Sequence, residues 1–351
     1  MFTIDEIAIP ATLDDPAAAD FIRAIEVGNE VEAIGYGTAD LAYTPAEELV
    51  GYDNPHEPHR TLVARVDGVI VGRALYETHI GEEADTAWIA VEVLPAFRGS
   101  GIGTALADAV EAIARADGKA KTIVYAPIQD EAGERLASPT GFGSISVTRE
   151  VRFLRARGYS FEQVERLSQL PLPVADLDDR LAAAVAASGE DYVVHTWTGS
   201  TPERWLADRA VLATRMSTDA PSAGLEEPED VWTVERVIDS DARNETNPRS
   251  RFTAAIEHRP TGALVGYTML SVPPEKSRAV DQWATLVLKE HRGHALGMLL
   301  KVANLVHLRD GAPGHPSVVT FNAEENRHML SVNEAVGFVG IANESAWRLD
   351  L

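Results

Sequence analysis

Apolar and polar positions alternate through VARVDGVIVGRALYE (63–77) and break at Asp67-Gly68, which predicts two strands joined by a tight turn. The same pattern returns in FTAAIEHRPTGALVGYTML (252–270), turning through Pro260-Thr261-Gly262. A third apolar run follows each hairpin, AWIAVEVL (87–94) and QWATLVL (282–288). Each run ends at a loop, PAFRGSGIG (95–103) and KEHRGHALG (289–297). Beyond the loops the apolar spacing becomes helical: Leu106, Val110, Ile113 and Ala114 in one case, Leu299, Ala303 and Val306 in the other. Asp117-Gly118 and Asp310-Gly311 supply the stops. A short strand (121–127, 317–323) and a helix ending at Gly-aromatic (147–159, 325–338) close each half.

The two halves share more than composition. Gly68 to Gly72 and Gly262 to Gly266 carry the same Gly-x-(Ile/Leu)-Val-Gly pattern, and 26 residues separate Gly72 from Arg98 and Gly266 from Arg292. A tandem duplication accounts for this, with an insertion of about twenty residues around 138–144 in the first copy. Helical stretches precede each hairpin (16–34 and 45–50; 202–216 and 229–245), followed by polar loops at 51–60 and 217–230. Prolines and acidic residues in LPLPVADLDD (170–179) mark the boundary, giving domains 1–172 and 173–351. The expected fold is α/β: two tandem lobes, each a mixed, mostly antiparallel sheet flanked by helices.

At 351 residues the chain is long enough for two ordinary domains. The absence of cysteine excludes disulfides, thiolate metal sites and cysteine nucleophiles. No run approaches 18 apolar residues, and the opening MFTIDEIAIP lacks a basic n-region and an apolar h-region. Neither a membrane span nor a secretory signal is expected, and the default location is cytoplasmic. A net charge of −23 speaks against nucleic acid and anionic membranes as partners. If the ligand is an anion, the few arginines must be placed for it locally.

RGSGIG (98–103) is built for that. A helix N-terminus presents unpaired N–H groups and the positive end of the helix dipole, glycines let an anion approach them, and Arg98 adds a bidentate donor. A P-loop would need Gly-Lys-Ser/Thr, which GIGTAL lacks. Neither Gly99 nor Gly101 starts a complete G-x-G-x-x-G/A. The pattern Arg/Gln-x-x-Gly-x-Gly/Ala after a hairpin and a third strand resembles the GNAT superfamily of acyl-CoA-dependent N-acyltransferases, in the tandem arrangement of mycothiol synthase. Arg98, Gly101 and Gly103 match that motif. In the second copy Arg292 and Gly297 match, and Ala295 replaces a glycine.

The resemblance implies acetyl-CoA, or another short acyl-CoA, as co-substrate. Its pyrophosphate would lie on Arg98, Gly99, Gly101 and Gly103 after Val93, or on Arg292, Gly293, His294, Ala295 and Gly297 after Val287. It implies direct attack by a small-molecule amine, with a main-chain N–H at a bulge or splay of the third strand polarising the thioester carbonyl. The family's tyrosine acid is replaced by Asn333 in the second copy and Leu154 in the first, while Asn322 and Asn326 keep the pantetheine wall only in the second copy. That favours the second lobe for catalysis. Glu92, on the third strand of the first lobe, is a base if buried and an ordinary strand glutamate if exposed. Asp281 is expected as a surface charge at a strand end. His56, Glu57 and His59 have metal-like spacing, but no metal is expected of histidines in a proline-rich loop. Loops 51–60 and 217–230 are the expected acceptor walls. The alternative is an acyl-CoA-binding sensor or scaffold without catalysis, which the missing tyrosines would explain.

Overall fold

In a computed structural model of the chain, all residues are described except 17, 82, 83 and 220. The first lobe contains β1 (Phe2–Glu6), α1 (Ala18–Tyr36), α2 (Pro45–Tyr52), β2 (His59–Val66), β3 (Val69–Thr78), β4 (Thr86–Val93), α3 (Ile102–Ala116) and β5 (Lys121–Ile128). The insertion folds as a small hairpin, β6 (Arg135–Ala137) with β7 (Ser144–Ser146), before α4 (Arg149–Ala156) and β8 (Ser160–Pro171). The second lobe runs α5 (Leu177–Ser188), β9 (Tyr192–Thr198), α6 (Leu206–Asp219), α7 (Val234–Thr246), β10 (Ser250–His258), β11 (Ala263–Val272) and β12 (Val280–Val287). It finishes with α8 (Leu296–Gly311), β13 (Ser317–Ala323), α9 (Arg327–Val336) and β14 (Val339–Asp350).

The hairpins, third strands and helices fall where the periodicity places them, because each element has its own apolar face. Ile102, Leu106, Val110 and Ala114 form the buried stripe of α3, and Asp117 caps its end. The strands β1, β8, β9 and β14 and the helix α5 carried no signal that the sequence reading used.

The lobes share one twelve-stranded sheet, in the order β1-β2-β3-β4-β5-β14-β8-β13-β12-β11-β10-β9. The last strand of each half has crossed to the other. β14 pairs antiparallel with β5 of the first lobe, β8 pairs with β13 of the second, and the two pair with each other at the centre. Trp347 of β14, 1% exposed, is accordingly part of the first lobe's core with Phe21 and Leu106. Among the described residues no helix is long and apolar enough to cross a membrane.

Candidate active site

Two strand-to-helix loops repeat each other down to side-chain contacts. Arg98 Nε donates to the Val93 carbonyl at 2.8 Å, and Arg292 Nε donates to the Val287 carbonyl at 3.0 Å. Each arginine is thereby anchored beside its loop through Nε, which leaves its outer nitrogens to other partners. Gly99 and Gly101 have φ of +79° and +89°, and Gly293 has +88°. Ala295 holds the left-handed conformation of Gly101, at φ +52°, despite its Cβ. Neither α3 nor α8 has a side-chain cap, so their first-turn N–H groups face the loop, and Gly103 and Gly297 lie in those turns. The loops differ in what holds the arginine's outer end. Asp219 accepts from Arg292 Nη2 at 2.8 Å and pairs with Lys289 at 3.3 Å, whereas Arg98 Nη1 lies 3.6 Å from Glu150. His294, exposed, stacks on Tyr192.

Beside each loop the sheet opens. β4 and β5 pair in parallel only from Thr86 to Trp88, and β12 and β13 only at Val280 and Asp281. Beyond those residues the strands diverge, leaving a slot in each lobe. In the second lobe Asn333, 1% exposed, donates from Nδ2 to Asn322 Oδ1 at 2.6 Å, and its own Oδ1 is buried without a partner. Asn326 caps α9, its Oδ1 accepting from the Met329 N–H.

The third strands are not equivalent. β3 and β4 pair without interruption from Gly72/Val93 to Thr78/Ala87. Between β11 and β12 the register shifts, so that Trp283 and Ala284 together oppose Met269: a β-bulge. Gln282 clasps it, donating from Nε2 to Thr268 Oγ1 and to the Met269 carbonyl, both at 2.8 Å. In the first lobe the same face is filled. Arg73 and Glu92 form a buried ion pair, with Glu32 3.7 Å from the guanidinium. Gly28 of α1 is pressed against it so closely that a Cβ would lie 1.8 Å from Arg73 Cζ. Glu92 is therefore buried, and its carboxylate is bound to a cation. At the repeat's equivalent positions the second lobe has Tyr267 and Leu286.

The space this leaves is a cavity of about 660 Å³ between the lobes. Tyr267, Met269 and the half-exposed Trp283 line it beside the bulge. The loops 51–60 and 217–230, from different lobes, converge on it through Asn54, Glu57, Glu227 and Asp230. Glu227 accepts from Tyr125 Oη at 2.8 Å, tying that loop to β5. Asp281 is not a surface charge: it is 8% exposed, accepts from Tyr43 Oη and from Arg249 Nη2, and burial pushes its carboxyl up despite the guanidinium. Tyr43, from the α1–α2 connection, and Arg249, just before β10, cover what looked like an open strand end. Glu57, His59 and Glu77 do come together, but Glu57 already holds Arg236 and Asn54 through separate oxygens. His56 stands apart from that group, 3.7 Å from Asp239.

The resemblance implied a bulge or splay in the third strand, but sequence reasoning did not place it at Trp283–Ala284, because a register shift leaves no mark in hydrophobic spacing. Sequence reasoning also missed the buried Arg209 and the partly buried Arg251, which line the cavity from α6 and β10.

Residues 21–142 match the family described as acetyltransferase (GNAT). The whole chain also resembles a tandem GNAT protein from the clavulanic acid biosynthesis pathway, with a TM-score of 0.74 at 24% identity over 100% of this chain and 98% of that one. The family match lies in the first lobe, and the whole chain has the fold of a tandem GNAT protein. Mycothiol acetyltransferases of Frankia casuarinae and Salinispora arenicola are each 27% identical to it, over 92% and 93% of this chain and 86% and 91% of theirs. A GCN5-related N-acetyltransferase from Sphaerobacter thermophilus shares the fold at a TM-score of 0.62 and 16% identity, over 99% of this chain and 95% of that one. The comparisons support an N-acetyltransferase, and its chain has two copies of the loop-and-slot architecture and one copy of the bulge.

Proposed function

We propose that the protein transfers an acetyl group from acetyl-CoA to a small-molecule amine, and that the second lobe carries the reaction. The observation that supports this reading is the bulge at Trp283–Ala284, beside the β12/β13 slot and on the wall of the interlobe cavity. A bulge takes a main-chain N–H off the ladder and re-aims it, which is what a developing oxyanion requires. The pyrophosphate binds the loop 292–297 through Arg292 and the first-turn amides of α8, and the pantetheine arm follows the slot past Asn322. The neutral amine enters from the cavity and attacks the thioester carbonyl. The C–N bond forms, the C–S bond breaks, and the proton lost by nitrogen ends on the departing thiolate or in water. Asn333 has no proton to give. Its Nδ2 hydrogen bond to Asn322 braces the slot wall, which gives the residue a positioning role.

The first lobe keeps the more complete glycine cradle and has its acceptor face filled by Arg73 and Glu92. In this reading it binds acyl-CoA without transferring it, and Glu92 is structural. Release of free CoA from acetyl-CoA in the presence of a panel of primary amines tests the proposal. Acceptor-dependent release supports it, and tight acetyl-CoA binding with no release for any amine would replace it with the sensor reading.

A further inference from the structure

Two arginines of the cavity lack the partners that buried arginines ordinarily have. Arg209 of α6 is 7% exposed and lies over the Tyr267 ring, with Cζ 4.2 Å from the centroid. Nη2 donates to the Met269 sulfur at 3.4 Å, and Nη1 is buried with no hydrogen-bond partner. Among the described residues no carboxylate pairs with it. Arg251 of β10 donates from Nη1 to Asp241 at 2.6 Å, while its Nε is also buried and unpartnered. Burial lowers the pKa of Arg251, and the like charge of Arg209 adds to that. Asp241 is thus the one carboxylate paired with either guanidinium among the described residues. Surplus positive charge on guanidiniums with buried, unpartnered nitrogens calls for an anion.

Both arginines line the cavity beside Tyr267, Met269 and Trp283, the residues around the bulge. The walls from the first lobe and from loop 217–230 carry Glu48, Glu227 and Asp230 instead. The cavity is therefore divided by charge, with its cationic part next to the reaction centre.

We propose that Arg209 and Arg251 form an anion subsite, and that the acceptor is an amine bearing a carboxylate, of the amino-acid class. Between Arg209, Arg251 and Asp241 the surplus is a single positive charge, which matches a carboxylate better than a doubly charged phosphate. The planar guanidinium of Arg209 also offers the fork that a carboxylate takes. The inference rests on the acyl-transfer reading for its description of the ligand as an acceptor. The anion subsite itself rests on the two orphaned guanidinium nitrogens.

The test compares amino acids with their methyl esters, and includes phosphoethanolamine, by two readouts: acetyl transfer with acetyl-CoA, and calorimetric binding of the corresponding N-acetyl amino acids and N-acetyl methyl esters with CoA present. The free carboxylates are expected to bind at least tenfold more tightly than the esters, and to show a correspondingly lower KM with similar kcat. Arg209→Met should abolish that preference without lowering Tm or weakening acetyl-CoA binding, and Arg209→Lys should restore part of it. Equal binding of acid and ester by the wild-type protein overturns the proposal, and that comparison needs no variant. A clear preference for phosphoethanolamine overturns the carboxylate class. Carboxylate-selective binding with no turnover of any amine upholds the subsite while removing the acyl-transfer reading. Turnover of amines regardless of carboxylate, unchanged in Arg209→Met, does the reverse.

Discussion

Glu165 and Glu344 face each other across the central ladder, paired in register between β8 and β14. They are also each other's counterparts in the duplicated sequence, 179 residues apart like Gly158 and Gly337. A residue that pairs with its own repeat marks the pseudo-twofold axis, so the axis of the duplication runs between these two carboxyls. Tyr36 Oη donates to Glu344. The strand exchange around the pair makes one sheet of two lobes.

That exchange predicts that neither half folds alone. Residues 1–172 keep β8 but lose β14, leaving β5 without its antiparallel neighbour and Trp347 missing from the core. The fragment should be aggregated or unfolded when expressed by itself, and co-expression with 173–351 should recover a folded complex. A monomeric, cooperatively melting 1–172 would show that the exchange is dispensable.

The carboxyl pair predicts a pH dependence of stability. Burial pushes the Glu344 carboxyl up to about 7 and, together with the charge of Glu344, pushes Glu165 up to about 8. Such groups hold their protons longer in the folded chain than in the unfolded one, where they titrate near ~4.3. Their stabilising effect is complete at and below the ordinary carboxyl range and is lost as pH rises toward the folded values. Tm should fall between about pH 5 and about pH 8, and Glu344→Gln should flatten the fall. An equally steep fall in the variant would assign the effect to other groups.

Glu92→Gln separates structure from catalysis. Removing one partner of a buried ion pair leaves Arg73 under-compensated, at a cost of about 3–5 kcal/mol. Thermal or denaturant unfolding should show that loss, while kcat per folded molecule stays within about twofold of wild type, below the ~1.4 kcal/mol that a tenfold change represents. A folded variant with its rate reduced a hundredfold would restore Glu92 as the base.

Asp219 and Gly266 act on the second site from different directions. Asp219→Asn frees the outer end of Arg292 from a partly exposed ion pair, worth about 0–1 kcal/mol. Acetyl-CoA binding at that lobe should tighten by no more than about fivefold, and calorimetry reads it directly. Gly266→Ala places a Cβ 2.8 Å from the Leu286 carbonyl oxygen, in the strand beside the bulge. It should destabilise the protein by about 1–3 kcal/mol and impair transfer, and unfolding with activity measured in parallel checks both.

Most of the fold was legible because each half announces its hairpin, third strand and helix through apolar spacing, and announces them twice. The glycine loops were legible for a related reason: residues 99, 101 and 293 must adopt positive φ, and glycine is the residue that does so without strain. The strand exchange was not legible. β8 and β14 have the same alternation whichever lobe they join, and only the long-range register Ala346/Tyr125 and Phe321/Leu167 decides it. Asp281 was misplaced on the surface because its partners, Tyr43 and Arg249, come to it from elsewhere in the chain and leave no mark on the local pattern. The charge of Arg209 is plain in the sequence, but its lack of a carboxylate partner among the described residues is a property of the assembled cavity.

The assignment of chemistry to the second lobe is tested most directly by acetyl transfer in Arg98→Ala and Arg292→Ala, assayed beside wild type with one accepted amine. Each arginine should contribute a charge-assisted phosphate contact of about 1.5–3 kcal/mol at its own site, roughly ten- to a hundredfold in affinity. The predicted result is that Arg292→Ala raises the acetyl-CoA KM by that factor and Arg98→Ala leaves turnover intact. Turnover lost in Arg98→Ala and retained at an unchanged KM in Arg292→Ala would place the reaction in the first lobe and contradict the account.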